Sequence, residues 1–192
     1  QVESTRLSRL IQEIVDLSRL QVADTLHEPQ LVDVGAVVVE AVDRVRVAAE
    51  ARDIALGAAV EDGLRVFGDA SLLVTAVGNL VTNAVNYSDA ETRVGVGARR
   101  VGDTVEITVT DQGQGIPTAE QERIFERFYR VDAARSRATG GTGLGLAIVK
   151  HICANHGGDV VVWSQEGAGS TFTMRLPAAA DRPLATQIDG EP

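Results

Sequence analysis

The most informative stretch of the chain reads Gly140-Gly141-Thr142-Gly143-Leu144-Gly145-Leu146, and it leads directly into an apolar segment. That segment predicts a helix over residues 144–155. Backbone amides at the start of a helix, with no bulky side chains above them, form an anion site. The stretch is neither a Walker A loop, because no Gly-Lys-Ser/Thr follows, nor a dinucleotide-binding turn, because no strand precedes it. A flexible hinge is the alternative, but it does not readily explain four glycines at a helix start. We therefore expect a phosphate-binding loop.

The segment before these glycines is predicted to be mobile, because residues 130–141 contain few large apolar side chains. Arg130 and Arg135 lie in or beside it, where a guanidinium can close over phosphates. The alternative for each is an exposed surface arginine. A short helix over residues 119–128 is predicted to precede this segment, with Phe125 and Phe128 plugging the core.

A second motif, Asp111-Gln112-Gly113-Gln114-Gly115, follows a predicted strand. The two glycines permit a tight turn and close approach of a ligand to the backbone. A carboxylate held at that point accepts hydrogen bonds, for example from an exocyclic amine. Because such sequences are common in loops, a plain strand-to-turn connection is the alternative.

A third motif places Asn79 and Asn83 four residues apart on one face of a predicted helix. Asparagine is a poor helix former, and the rest of this helix is apolar. Amide oxygens coordinate hard cations such as Mg²⁺ without adding negative charge. Taken alone, the spacing favours the alternative of a pair of solvated or hydrogen-bonded amides.

The order of predicted elements indicates an α+β two-layer sandwich, with a mixed, mostly antiparallel sheet covered on one face by helices. The predicted strands cover residues 30–32, 54–60, 64–67, 93–100, 105–111, 159–164 and 170–176, and the predicted helices cover residues 34–52, 69–86, 119–128 and 144–155.

Both ends of the chain differ in character from this central domain, predicted over residues 28–177. Within residues 1–27, Leu7, Leu10, Ile14 and Leu17 follow a heptad rhythm typical of helix-on-helix packing. An amphipathic helix lying on its own domain fits this pattern too. Residues 178–192 show no periodicity and are predicted to be a disordered tail. The N-terminus lacks an initiator Met, so we expect a piece of a longer protein.

The composition argues against several kinds of function and site. A net charge of -9 argues against direct nucleic-acid binding, which requires a basic surface. No apolar run approaches the roughly 20 residues that span a bilayer, so we expect no membrane contact by this part. A single cysteine, Cys153, excludes an internal disulfide.

The motifs together resemble the N, G1, F and G2 boxes of the sensor histidine kinases of two-component systems. The resemblance extends over residues 1–177 and is closest to the phosphate-responsive sensor kinases of actinobacteria. It implies the Bergerat ATP-binding sandwich, with ATP and Mg²⁺ as cofactors. Residues 1–27 resemble the end of the dimerisation and phosphoacceptor hairpin.

The resemblance assigns a role to each motif. Asn83 would bind Mg²⁺, Asp111 would read the adenine amine, and Tyr87 would stack near adenine. Asn79, Asn83, Arg130 and Arg135 would form the catalytic group. The remaining nucleotide-binding residues implied are Gly113 and Gly115 around adenine, and Gly141, Thr142, Gly143, Leu144, Gly145 and Leu146 around the phosphates.

The activity implied is transfer of the ATP γ-phosphoryl group to a histidine, for relay to an aspartate of a response regulator. The whole protein would be a dimer, with this domain in the cytoplasm and the sensor anchored in the membrane. None of His27, His151 and His156 has the sequence context of the phosphorylated histidine. Asn86 stands where many members carry a basic residue. An ATPase of the same fold and a catalytically impaired nucleotide-sensing adaptor are the alternatives.

Overall fold

The computed structural model describes residues 29–131 and 141–179. In chain order the elements are β1 (Gln30–Asp33), α1 (Val34–Glu50), β2 (Ala55–Val60), β3 (Arg65–Gly68), α2 (Ala70–Tyr87), β4 (Arg93–Val101), β5 (Thr104–Asp111), α3 (Gly145–Asn155), β6 (Asp159–Gln165) and β7 (Gly169–Pro177).

Five strands form the main sheet in the order β2-β4-β5-β7-β6. The pair β2–β4 is parallel and the other three pairs are antiparallel, so the sheet is mixed. Strands β1 and β3 form a separate antiparallel ribbon. The three helices pack against the main sheet and each other, and the core lies between the two layers. The predicted α+β sandwich is confirmed.

Helices α1 and α2 begin where the sequence places an aspartate. Asp33 Oδ1 accepts a hydrogen bond from the Ala36 N–H, and Asp69 Oδ1 accepts from Ser71 and Leu72. These bonds satisfy amides that lack partners within a helix. Valine is a poor helix former, yet α1 and α2 are rich in it. Their valines lie mostly in the buried stripe, so tertiary burial outweighs the local preference.

The predicted helix over residues 119–128 is wrong. Two 3-10 turns, Thr118–Glu120 and Arg123–Phe125, occupy this stretch, and Glu126 is extended. The Gln121 side chain donates hydrogen bonds of 3.0 Å to the carbonyls of Ile116 and Ser164. These contacts with β6 and the preceding loop hold the segment in short turns.

Only one of the two predicted aromatic plugs packs against the core. Phe125 packs against it and contacts Phe172 edge to face, with ring centroids 6.4 Å apart. Phe128 is 62% exposed and has a positive φ of 64°. Its N–H donates to the Gly143 carbonyl at 2.8 Å, so a backbone contact turns its side chain outward.

Several expectations fall on residues that the structure does not describe. The predicted heptad helix, Arg135 and most of the predicted tail belong to residues 1–28, 132–140 and 180–192. The contacts of the domain continue just beyond Pro177, since the Ala178 and Ala179 amides donate to Asp103 and Arg65. Within the described ranges, no helix has the length and apolar character required to cross a bilayer.

Candidate active site

A cavity of about 390 Å³ lies between α2, the loop after β5 and the glycine-rich stretch before α3. It brings together most of the residues that the sequence motifs predicted, although they come from distant parts of the chain. The predicted residues that line it are Asn79, Asn83, Tyr87, Asp111, Gly115, Arg130, Gly141, Thr142, Gly143, Gly145 and Leu146. Gly113 and Leu144 lie outside the lining, and Arg135 lies outside the described residues.

Asp111 lies at the end of β5 and is only 6% exposed. Its Oδ1 accepts hydrogen bonds from the Gly113 N–H at 2.8 Å and the Ser170 N–H at 3.2 Å. Both bonds use one oxygen, which leaves Oδ2 to accept a donor from a ligand in the cavity. Burial raises the pKa of Asp111 above its ordinary 3.8, and the two backbone hydrogen bonds oppose this shift.

The glycines after Asp111 are required by the protein's own backbone. A Cβ at Gly113 would lie 2.4 Å from the Tyr87 carbonyl oxygen. A Cβ at Gly115, where φ is +72°, would lie 2.0 Å from the Gln165 carbonyl oxygen. The sequence predicted close approach of a ligand, whereas these positions show close approach of α2 and the β6–β7 turn. The glycines thus set the cavity wall.

Helix α2 presents amide side chains to the cavity from successive turns. Asn79, Asn83 and Asn86 line it, and so does Tyr87. The Asn79 Nδ2 is 3.5 Å from the Gly145 carbonyl oxygen, a long hydrogen bond between α2 and the start of α3. Asn79 therefore contributes to the alignment of these two helices.

The residue that precedes α3, Leu144, is fixed in place by burial and by a hydrogen bond. The Leu144 side chain is fully buried, and its N–H donates to Thr142 Oγ1 at 3.3 Å. Gly143 has a φ of +77°, and a Cβ there would lie 2.8 Å from the Phe128 carbonyl carbon. Only glycine fits this turn, which leaves the backbone of Gly141, Thr142 and Gly143 along the cavity.

One cationic side chain lines the described part of the cavity, that of Arg130. Its Nη2 is buried and has no hydrogen-bond partner among the described residues. A buried guanidinium nitrogen without a partner is costly, and an anionic ligand would supply one. Beside it, Arg123 stacks on the Tyr129 ring, with its Cζ 4.1 Å from the ring centroid.

Sequence reasoning missed the residues that β7 contributes. Ser170 is buried and holds Asp111 through its backbone N–H, and Phe172 also lines the cavity. Ser170 follows Asp111 by 59 residues and carries no motif of its own. Its position depends on the pairing of β5 with β7, which no local pattern reveals.

The described residues contain no group of three or more His, Cys, Asp or Glu side chains that could hold a metal ion. A cation that is bound largely by phosphate oxygens needs only one or two protein ligands. Amide oxygens on α2 suit that arrangement.

Residues 68–180 match the family model described as histidine kinase-, DNA gyrase B-, and HSP90-like ATPase. The chain is 54% identical over 179 residues to the sensor-like histidine kinase SenX3 of Mycolicibacterium smegmatis, covering 93% of this chain and 47% of that protein. It is 40% identical over 176 residues to the sensor histidine kinase RppB of Synechocystis, covering 91% of this chain and 39% of RppB. This chain thus spans less than half the length of either relative.

Solved structures give the same result. The mycobacterial sensor histidine kinase MprB is 35% identical with a TM-score of 0.69, covering 78% of this chain and 97% of that one. Full-length ShkA in complex with AMPPNP is 28% identical with a TM-score of 0.80, covering 92% of this chain and 37% of that one. The family resemblance seen in the sequence is confirmed. The chain therefore belongs to the histidine kinase-, DNA gyrase B- and HSP90-like ATPase family, and it contains the ATP-binding catalytic domain of a sensor histidine kinase.

Proposed function

We propose that this domain positions ATP and Mg²⁺ and transfers the γ-phosphoryl group to a histidine of a phosphoacceptor module, for relay to a response regulator aspartate. Phosphoryl transfer leaves little covalent work for the protein, which mainly positions the reactants and neutralises charge. A cavity with a buried acceptor, a glycine-rich backbone stretch and a guanidinium nitrogen that has no partner among the described residues supports this role.

One observation favours transfer over hydrolysis. Within the described lining of the cavity, Asp111 is the only carboxylate. Its Oδ1 is occupied by two backbone amides, and residue 79 is an amide that cannot act as a general base. Activating a water molecule requires a base within hydrogen-bond reach of it. A histidine nitrogen is already nucleophilic and needs only to be brought into line.

We assign roles within the cavity on chemical grounds. Asp111 Oδ2 would accept the adenine amine beside Tyr87, and the backbone of residues 141–146 would face the phosphates. Asn83 would give its amide oxygen to Mg²⁺. Arg130 would pair with the phosphates, supplying the positive charge that Asn86 does not. The AMPPNP complex of ShkA supports nucleotide binding at this fold.

The remaining parts of the proposed reaction would come from other regions of a longer protein. The relatives are sensor kinases about twice as long as this chain. On that basis we propose that the whole protein dimerises, that its sensor is anchored in the membrane, and that this domain works on the cytoplasmic side, where ATP and a response regulator are present.

The experiment mixes this chain with ATP labelled on the γ-phosphate. The chain alone should not become labelled, because none of its histidines has the phosphoacceptor context. Adding the phosphoacceptor module of the same kinase should produce acid-labile label on the module, slowly without a covalent tether. Asn83→Ala should abolish this transfer and the Mg²⁺ dependence of ATP binding. Phosphate release at the same rate with and without the module would favour an ATPase, and nucleotide binding with neither reaction would favour an adaptor.

A further inference from the structure

The ribbon of β1 and β3 carries an apolar pair on its outer face. Leu31 and Phe67 lie directly opposite each other in the antiparallel register. Leu31 is 57% exposed and Phe67 is 56% exposed. Exposed apolar residues on a protein surface are usually scattered singly, whereas these two are neighbours. Side chains opposite each other on neighbouring strands are in contact range, so the two form one apolar surface.

The pattern of this ribbon is that of strands covered on both sides. On the inner face, Val32 and Val66 are opposite each other and buried in the core. A half-buried ribbon would carry polar residues on its other face. At one end of the apolar pair, the ion pair between Asp33 and Arg65 forms a polar rim. An apolar centre beside a polar rim is the anatomy of a packing interface.

We propose that Val22 and Leu26, in the segment that precedes β1, pack on the outer face of Leu31 and Phe67. This segment joins the domain at the ribbon itself, since Pro29 immediately precedes β1. Only four residues separate Leu26 from Leu31, so a contact between the segment and the ribbon costs little loop-closure entropy.

The sequence of the segment supports this occupant. The heptad pattern of apolar residues from Leu7 to Leu17, here called the seam, does not continue, because its next two positions are Gln21 and Asp24. Beyond the seam the apolar residues move to Val22 and Leu26, which share one face if the helix continues, being four residues apart. Their face differs from the seam, so they can cover the ribbon while the seam packs on another helix.

The C-terminal segment is a weaker occupant. It also leaves from the ribbon, because the Ala179 N–H donates to the Arg65 carbonyl at 2.8 Å. Residues 180–192 contain only two large apolar side chains, Leu184 and Ile188, together with Pro183 and Gly190. Little apolar burial would offset the entropy of ordering this segment.

This contact would fix the direction in which the preceding helix leaves the domain. A helix that is free to pivot at Pro29 transmits no orientation, whereas one held by the Leu31–Phe67 surface moves with the ribbon. The ribbon in turn is joined to the start of α1 through Asp33, the residue that caps that helix.

Engineered disulfides in the full chain test the proposal. The native Cys153 does not interfere, because it is fully buried and burial raises the pKa of its thiol to about 12. Leu26→Cys combined with Phe67→Cys should give an intramolecular disulfide under mild oxidation. A matched pair, Leu26→Cys with Val47→Cys, places the second cysteine on a valine of α1 that is 75% exposed. It should react at least about tenfold more slowly, because the local concentration of the two thiols is lower.

Hydrogen exchange supplies a second readout that does not depend on new cysteines. Protection of residues 20–28 should fall in Phe67→Ser and stay unchanged in Val47→Ser, while exchange in α3 reports that both variants fold. Equal disulfide rates for the two pairs, or unchanged protection in Phe67→Ser, would overturn the proposal. So would a mainly intermolecular disulfide, which would indicate a second copy, or faster closure of Ile188→Cys with Phe67→Cys, which would indicate the C-terminal segment.

Discussion

At the scale of single residues, the cavity contains a carboxylate, Asp111, whose burial disfavours its ionised form. Asp111 is buried, and its two hydrogen bonds come from backbone amides rather than from a cation. Burial raises its pKa, so the empty domain pays a free-energy cost for the ionised form. The stability that the protonated form contributes is present at low pH and is lost as pH rises through the raised pKa.

Asp111→Asn should therefore separate stability from binding. At neutral pH the empty variant should unfold at the same or a higher urea concentration, because a buried charge is removed. Its affinity for ATP should fall by about 1–3 kcal/mol, because Oδ2 is replaced by an NH₂ group that cannot accept the adenine amine. Calorimetric titration measures the affinity, with the exposed Asp62→Asn as control. Equal ATP affinity in variant and wild type would remove Asp111 from the adenine site.

A second buried titratable residue, His156, connects the C-terminal end of α3 to the N-terminal start of α2. Its Nδ1 lies 2.7 Å from the Ile152 carbonyl, and its Nε2 accepts the Asp69 N–H at 3.1 Å. Only the neutral ring can donate at one nitrogen and accept at the other. Burial lowers the pKa of His156 below 6.5, opposed by the Ile152 hydrogen bond and the charge of Asp69.

Acid should consequently destabilise the domain before most carboxylates titrate. Below pH 6.5 the unfolded chain binds a proton that folded His156 does not, so stability falls as pH drops toward the lowered pKa. Urea unfolding at about pH 7.5 and about pH 5.5 measures this loss. His156→Gln should be less stable at the higher pH but should lose less on acidification. An identical loss in both proteins would contradict the assignment.

At the scale of elements, the glycine-rich stretch is positioned by a contact with the chain before it. Gly143 accepts the Phe128 N–H, and its Cα lies too close to the Phe128 backbone for any side chain. The orientation of α3 and the backbone of the glycine-rich stretch thus depend on the close contact between the Phe128 and Gly143 backbones. A substitution that disturbs this contact should therefore alter the conformation of both residues 126–131 and the start of α3.

Gly143→Ala tests this crossing, with Gly167→Ala as a matched control. Both glycines have a φ near +77°, so alanine at either position costs about 1 kcal/mol or more in backbone strain. At Gly167 no atom lies within 4 Å of the new methyl group, whereas at Gly143 it meets the Phe128 backbone. Nucleotide affinity should drop at least tenfold in Gly143→Ala and stay near wild type in Gly167→Ala. Similar nucleotide affinities in the two variants would contradict a role for the contact between Gly143 and the Phe128 backbone.

At the scale of the whole molecule, the cavity is lined by parts of the chain that lie far apart in sequence. Its lining comes from α2, from β5 and the loop after it, from α3 and from β7. A ligand that binds all of these only when they are folded stabilises the entire domain by mass action.

Saturating nucleotide should raise the free energy of unfolding of the domain as one unit. At a ligand concentration of 100 times Kd, the gain should be about 2.7 kcal/mol. Thermal unfolding followed by circular dichroism and by the fluorescence of Trp163 should shift together. In Asp111→Asn the shift should shrink at the same ADP concentration. A shift seen by only one of the two probes would mean that the domain does not unfold as one unit.

The sequence by itself determined the elements that have a strong local signal. The aspartates at residues 33 and 69 predicted the starts of α1 and α2, and the spacing of Asn79 and Asn83 predicted one shared face. The motifs predicted a family that the comparisons confirm, because glycine turns, helix caps and helical periodicity depend on residues close together in the chain.

Only the tertiary structure decided the rest. The stretch 119–128 forms turns because Gln121 bonds to distant carbonyls, and Phe128 faces outward because Gly143 crosses it. Ser170 enters the site because β5 pairs with β7, and Gly113 and Gly115 face protein backbone. Each of these outcomes depends on a contact between residues far apart in sequence, and such contacts become defined only when the layers of the sandwich pack.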